Sequence, residues 1–167
     1  MLRLLPWRML MRKHHRYLFI LPLAIIILDQ LAKFFVIKNI PSYDFFALIP
    51  RALSITKIYN SGIILGLYFQ NNNLITIISL TLVCMLIVFI FLAHKEKIKA
   101  KLSMPTLIAF YLIIGGAISN IIDRVLHNSV VDYISLDFIN FPIFNIADIA
   151  ITTAAILLIW EILFSKK

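Results

Sequence analysis

The sequence predicts an all-α membrane protein, a four-transmembrane-helix bundle carrying a small extracytoplasmic β element. Three observations predict it. Of the 167 residues, 62% are hydrophobic and 14% charged, against about 45–50% apolar and about 25% charged in soluble domains. Four apolar stretches (Leu18–Ile37, Leu74–Ala93, Met104–Ile122 and Asn145–Phe164) each run about 20 residues, which at about 1.5 Å per residue matches a hydrocarbon core of roughly 30 Å. The basic residues gather on one side of these stretches. There is no internal repeat or low-complexity tract, so residues 1–167 read as a single integral membrane domain.

Taken in order, the N-terminal tail carries Arg3, Arg8, Arg12, Lys13 and Arg16. A basic region followed by an apolar run also describes a signal peptide. This run is too long for one, holds Asp29 and Lys33, and lacks a small-residue cleavage site, so it reads as the first span. In the next loop, Arg51–Tyr59 alternates in part, with Leu53, Ile55 and Tyr59 on one face, and predicts a short strand. Asn71, Asn72 and Asn73 form a polar stop before the second span. Lys95, Lys97, Lys99 and Lys101 follow that span, and Pro105 suits the first turn of the third. The β-branched and aromatic run Val130–Ser135 predicts a second strand. Lys166 and Lys167 end the chain. Eleven of the sixteen basic residues thus share one side, which assigns both termini and the loop between spans two and three to the cytoplasm. The net charge of +8 is then a topology signal with affinity for anionic membrane lipid, and no nucleic acid partner is expected.

The eight carboxylates carry the chemical information. Asp29, Asp123, Asp132, Asp137 and Asp148 all fall in or beside the extracytoplasmic end of the predicted bundle. Ionisable groups at membrane depth are costly and are usually kept for a function. Asp29 lies about 17 Å along the first span, with Lys33 about 6 Å further, on one helix face. They form either a structural ion pair or part of a site, and Lys33 has the length to snorkel to the interface. Asp148, in the pattern Asn145-Ile-Ala-Asp148, is either a helix cap or a site acid. Asp123 with Arg124 is either a terminal ion pair or a site element, and Asp132 either an outward strand residue or a site acid. Their convergence favours a site. Two carboxylates held close cannot easily both ionise, so one keeps a proton; the ionised member then takes a proton from water while the protonated one polarises a carbonyl. No metal or cofactor is called for. The four histidines (His14, His15, His94, His127) form no HExxH pattern, no nucleophile elbow is present, and the lone Cys84 excludes a disulfide framework. Gly115-x-x-x-Ser119 is a small-residue face suited to close helix packing.

Five blocks then stand in order along the chain: Asp29-Gln30-x-x-Lys33; Tyr59-Asn60-x-Gly62 with Gly66; Gly115-Gly116-Ala117-x-x-Asn120-x-x-Asp123-Arg124; Val131-Asp132-Tyr133; and Phe144-Asn145-x-Ala147-Asp148. In these blocks the chain resembles the lipoprotein signal peptidase (signal peptidase II) family of bacterial inner-membrane aspartic proteases. The resemblance covers essentially everything after the N-terminal tail. It implies that Asp132 and Asp148 are the catalytic dyad. It implies that Asn60, Gly62, Asn120, Asp123, Arg124 and Asn145 shape the site, with Asp29 and Lys33 supporting it from the first span. It also implies a diacylglyceryl-modified prolipoprotein as substrate, cut just before the lipidated cysteine, inhibition by globomycin, and a multi-pass monomer with its site near the extracytoplasmic face. The chain departs from the family pattern in two places, Ile63-Ile64-Leu65 before Gly66 and Ser119 before Asn120, and both changes add bulk near the expected site. A small proton-coupled transporter is the alternative, since an intramembrane Asp29 and Lys33 also suit an ion path.

Overall fold

A computed structural model describes residues 17–61, 63–64, 67–68, 72–95 and 102–164. Most of the basic residues that carry the topology reading lie outside them, as does Gly62. The described chain runs α1 (Ile20–Asn39), β1 (Phe46–Ile49), β2 (Leu53–Asn60), β3 (Ile63–Ile64), β4 (Leu67–Tyr68), α2 (Asn72–His94), α3 (Met104–His127), β5 (Val130–Leu136) and α4 (Ile146–Phe164). All four helices are long and apolar enough to cross a membrane.

α1 inverts the pattern of a soluble helix. Its buried residues are Ile25, Asp29, Lys33 and Val36, at the spacing of one helix face, while Leu28, Leu31, Phe34 and Phe35 are exposed. Apolar side chains face outward because lipid replaces water there, and the polar stripe turns inward. The helix stops at Ile40, whose N–H donates to Val36 O, and Pro41 follows.

α3 is the central helix. It packs against α1, α2 and α4 and is the most buried of the four. The Ser103 hydroxyl caps its start by accepting the Thr106 N–H, with Pro105 in the first turn. Glycine lets two neighbours come close. A Cβ on Gly115 would lie 2.8 Å from Pro22 Cα of α1, and one on Gly116 would lie 2.5 Å from Ala147 O of α4. The helix runs five residues past the expected Ile122, because Asp123 faces inward and is satisfied by protein rather than marking an exit to solvent. Asn128 then takes a left-handed conformation (φ 54°, ψ 23°) that asparagine tolerates, and its N–H closes on Arg124 O. The chain reverses at once into β5.

β5 lies antiparallel to β2, and β2 antiparallel to β1, in a three-stranded sheet at one end of the bundle; β3 and β4 pair antiparallel in a separate two-stranded sheet. β2 and β5 coincide closely with the expected strands, and β1, β3 and β4 are additional. The buried positions of β2 are its polar ones. Ser54 and Thr56 are buried, Leu53 and Ile55 are only half-buried, and Tyr59 is exposed. Two causes act together: the register shifts between Ile55 and Ile58, breaking the alternation, and the inner side of the sheet is polar, where Ser54 donates to Asp137. Asp137 is thereby held at the sheet, apart from the other acids.

Candidate active site

Asn145 organises the site from the start of α4. Its side-chain Oδ1 accepts the Asp148 N–H at 2.9 Å, while its own N–H donates to Asp148 Oδ2 at 3.2 Å. This is a reciprocal helix cap, so the capping reading of Asp148 holds. It does not exhaust the residue, because Asp148 Oδ1 still accepts from Asn120 Nδ2 at 2.9 Å. A backbone amide only donates, so the Asp148 N–H fixes which end of the Asn145 amide is oxygen. Asn145 Nδ2 must then point away from it, and it donates to Asp132 Oδ1 at 2.7 Å. One asparagine therefore joins Asp132 of β5 to Asp148 of α4.

Asp132 is reached from the other side by β2. Asn60 stands opposite Val130 in the ladder, which makes it the diagonal neighbour of Asp132. Its Nδ2 donates to Asp132 Oδ2 at 2.9 Å. Burial pushes the Asp132 carboxyl up to about 7, and repulsion from Asp148 acts in the same direction. The donors Asn60 and Asn145 and the Lys33 charge oppose the rise. One member of the pair thus holds a proton near neutral pH.

Beneath the pair lies a buried charge cluster. Lys33 Nζ contacts Asp29 Oδ2 at 2.6 Å, Asp123 Oδ2 at 2.7 Å and Asn120 Oδ1 at 3.1 Å, which uses all three ammonium protons. Lys33 is 1% exposed, so it does not snorkel; Asp123 meets it inside the protein. Because an ammonium has no acceptor, Lys33 also sets the Asn120 amide, leaving Nδ2 for Asp148. Asp123 accepts from Gln30 Nε2 at 2.9 Å and from the Val131 N–H at 3.0 Å, which pins the start of β5 over α3. Asp29 accepts from Ser119 Oγ at 2.7 Å and from the Tyr133 hydroxyl at 3.2 Å. Among the described residues Asp123 forms no ion pair with Arg124, so the expected terminal pair is replaced by Lys33–Asp123. Arg124 instead turns its charge toward Asp148, Asp132 and Asp123, and its Nε is buried without a hydrogen bond.

The match of this chain to known proteins is extensive. Residues 21–164 match the family model described as signal peptidase (SPase) II. The chain is 36% identical over 139 residues to a lipoprotein signal peptidase of Streptococcus agalactiae, covering 83% of this chain and 86% of that protein. It is 38% identical over 149 residues to one of Lactobacillus johnsonii, covering 89% and 93%. A solved bacterial membrane enzyme superposes with a TM-score of 0.78 at 31% identity, over 89% of this chain and 90% of its own.

The chain belongs to the signal peptidase II family.

Family membership makes it a peptidase with a multi-pass membrane fold, in agreement with the resemblance read from its motifs. Of the residues that the resemblance singled out, the fold brings Asp29, Lys33, Asn60, Asn120, Asp123, Arg124, Asp132, Asn145 and Asp148 together. Gly62 lies outside the described residues, as do the side chains of Ile63 and Ile64. Three polar partners escaped the sequence reading as site residues: Gln30, Ser119 and Tyr133. Each sits beside a residue that was chosen, and Gln30 and Tyr133 also stand as named positions in the motif blocks, which was the signal that could have found them. Ser119, read as added bulk, is fully buried and contributes a hydroxyl to Asp29.

Proposed function

We propose that this signal peptidase II is an aspartic endopeptidase in which Asp132 and Asp148 hydrolyse the bond joining a signal peptide to a diacylglyceryl-modified cysteine of a prolipoprotein. The observation that carries the reading is the pair itself: two carboxylates from separate elements, joined through Asn145, with Asp132 raised to about 7.

The pair acts as one titrating unit holding one proton. The ionised carboxylate takes a proton from water as the water oxygen attacks the scissile carbonyl. The protonated carboxyl gives its proton to the developing oxyanion. In the collapse of the tetrahedral intermediate the C–N bond breaks, the leaving amine takes up the proton that came from water, and the carboxylate that gave its proton recovers one from the gem-diol hydroxyl as the new carbonyl forms. Asn60, Asn120 and Asn145 hold both carboxylates in place through the cycle. The chain acts as a monomeric single domain in the bacterial inner membrane, with the site near the extracytoplasmic face and the lipid chains of the substrate in the bilayer. The transporter reading finds no support in the comparisons with known proteins.

The test is cleavage of a diacylglyceryl-modified prolipoprotein in detergent or liposomes, followed by gel shift. Wild type is expected to cleave, and Asp132→Asn and Asp148→Asn to lose about 10³-fold or more in rate while remaining folded. Cleavage by both variants at the wild-type rate would sink the aspartate mechanism.

A further inference from the structure

The buried part of the site contains a hydroxyl that this hydrolysis does not use. Tyr133 follows Asp132 in β5 and is 3% exposed. Its hydroxyl donates to Asp29 Oδ1 at 3.2 Å and accepts the Ile146 N–H at 3.4 Å. The direction is fixed, because the amide only donates and the phenolic proton is left for the carboxylate. Burial first, and then the Asp29 charge, push the phenol above its ordinary value, so it stays protonated through the neutral range.

Ile146 is the first residue of α4, and its N–H is one of the groups for which a helix has no internal acceptor. Tyr133 therefore ties three elements through one oxygen: β5 with Asp132, the start of α4 with Asp148, and α1 with Asp29. Its backbone N–H adds a bond to Phe144 O at 3.0 Å, just before the α4 cap. Ser119 provides a contrast. Its hydroxyl donates to the same Asp29 carboxylate, but from α3, where it accepts from Gln30 rather than from α4.

We propose that Tyr133 is a positioning residue that sets the separation of Asp132 from Asp148, an inference resting on the reading of those two as the hydrolytic pair. Without its hydroxyl, the hydrogen bonds left between the start of α4 and β5 among the described residues are those of Asn145 and Phe144. Among the described residues, the other charged groups that act on the pair are Lys33, Asp29 and Arg124, with Asp123 paired to Lys33. All four remain in a Tyr133→Phe variant, so an altered titration there reports altered geometry.

The experiment measures kcat, KM and the pH–rate profile on a diacylglyceryl-modified prolipoprotein for wild type, Tyr133→Phe, Ile146→Pro, Ser119→Ala and Asp148→Asn. Proline is favoured at the first helical position and lacks an N–H, so Ile146→Pro deletes the amide end of the link and leaves the tyrosine intact. Tyr133→Phe is expected to lower kcat about tenfold with KM within about twofold. Its alkaline limb should move down by about half a pH unit, because wider spacing weakens both the repulsion and the burial that retain the proton. Ile146→Pro should move the limb the same way, and Ser119→Ala should leave it in place. A limb unmoved in both Tyr133→Phe and Ile146→Pro overturns the proposal whatever happens to kcat, since loss of folded enzyme scales a profile without shifting it. An equal shift in Ser119→Ala also overturns it, because the effect would then belong to Asp29. If Tyr133→Phe does not fold, Ile146→Pro alone decides. Failure of wild type to cleave, or normal cleavage by Asp148→Asn, rejects the peptidase reading and the proposal with it, and is recognised separately from either limb result.

Discussion

α3 turns two unlike faces to its neighbours. Toward α2 it offers Ile114 and Ile121, which cluster with Val83 and Ile90. Toward α1 and α4 it offers Gly115, Gly116, Ser119, Asn120 and Asp123. In a bilayer the first face gains little from burial as such, because lipid tails are as apolar as valine and isoleucine; it is held by close packing. The second face holds groups that neither lipid nor apolar protein accepts unpaired, so each must find its partner. The apolar face is therefore tolerant and the polar face is specified, and every residue proposed for chemistry lies along or above the polar face.

The largest expected contrast is Lys33→Met. It leaves Asp29 and Asp123 buried together with no cation between them, and breaking a buried pair costs about 3–5 kcal/mol. It also frees the Asn120 amide that holds Asp148. The variant should lose detectable cleavage and most of its thermal stability in detergent, measured by the gel assay and by tryptophan fluorescence. Near-normal Tm would show that the buried carboxylates do not depend on the Lys33 cation.

Titration should reach the polar face alone. With Asp132 raised to about 7, the proton that serves as general acid is present below that value and is lost above it. Cleavage should fall about tenfold per pH unit on the alkaline side. The sign for stability follows from the same shift. The folded value lies above that of an unfolded aspartate, so the contribution of Asp132 is full at low pH and is lost as pH rises toward 7. The Tm of Asp132→Asn relative to wild type should accordingly improve between pH 5 and about 8. A relative Tm that stays flat would place the raised group elsewhere.

The two faces also differ in how far the sequence revealed them. The spans were legible because length and apolarity fix them, and the acids because eight carboxylates in so greasy a chain stand out. Their partners were not legible. Asn60 meets Asp132 across 72 residues, and Ser119 meets Asp29 across 90. No local pattern encodes such pairings. The snorkelling expected of Lys33 failed for the same reason, since the sequence cannot show that Asp123 waits on α3. Which face of β2 turns inward was not legible, because alternation separates apolar from polar sides and at a membrane the apolar side is not automatically the inner one. β1 was missed because Phe46–Ile49 is four exposed residues without alternation.

Gly116→Ala tests the polar face through its geometry rather than its charge. The new Cβ would stand 2.5 Å from Ala147 O, a backbone atom next to Asp148. α4 must shift, at about 1–3 kcal/mol for overpacking. The displacement falls on the residue after Ala147, so kcat should drop about tenfold, consistent with the sensitivity of catalysis to small misplacements. Activity should suffer more than Tm.

The smallest effect should come from Val83→Ala on the apolar face. Val83 is as buried as many site residues, at 4% exposure, yet it belongs to an apolar cluster with Ile90, Ile114 and Ile121. In water the truncation would forfeit both transfer free energy and packing. In a bilayer the alternative to α2–α3 contact is hydrocarbon, so mainly the cavity remains, at about 1 kcal/mol. Cleavage should stay within about twofold of wild type, and the pH profile should not move. A tenfold loss of kcat would mean that α2 packing sets the position of Asn120 or Asp123 from behind, and the separation of α3 into a tolerant and a specified face would fail.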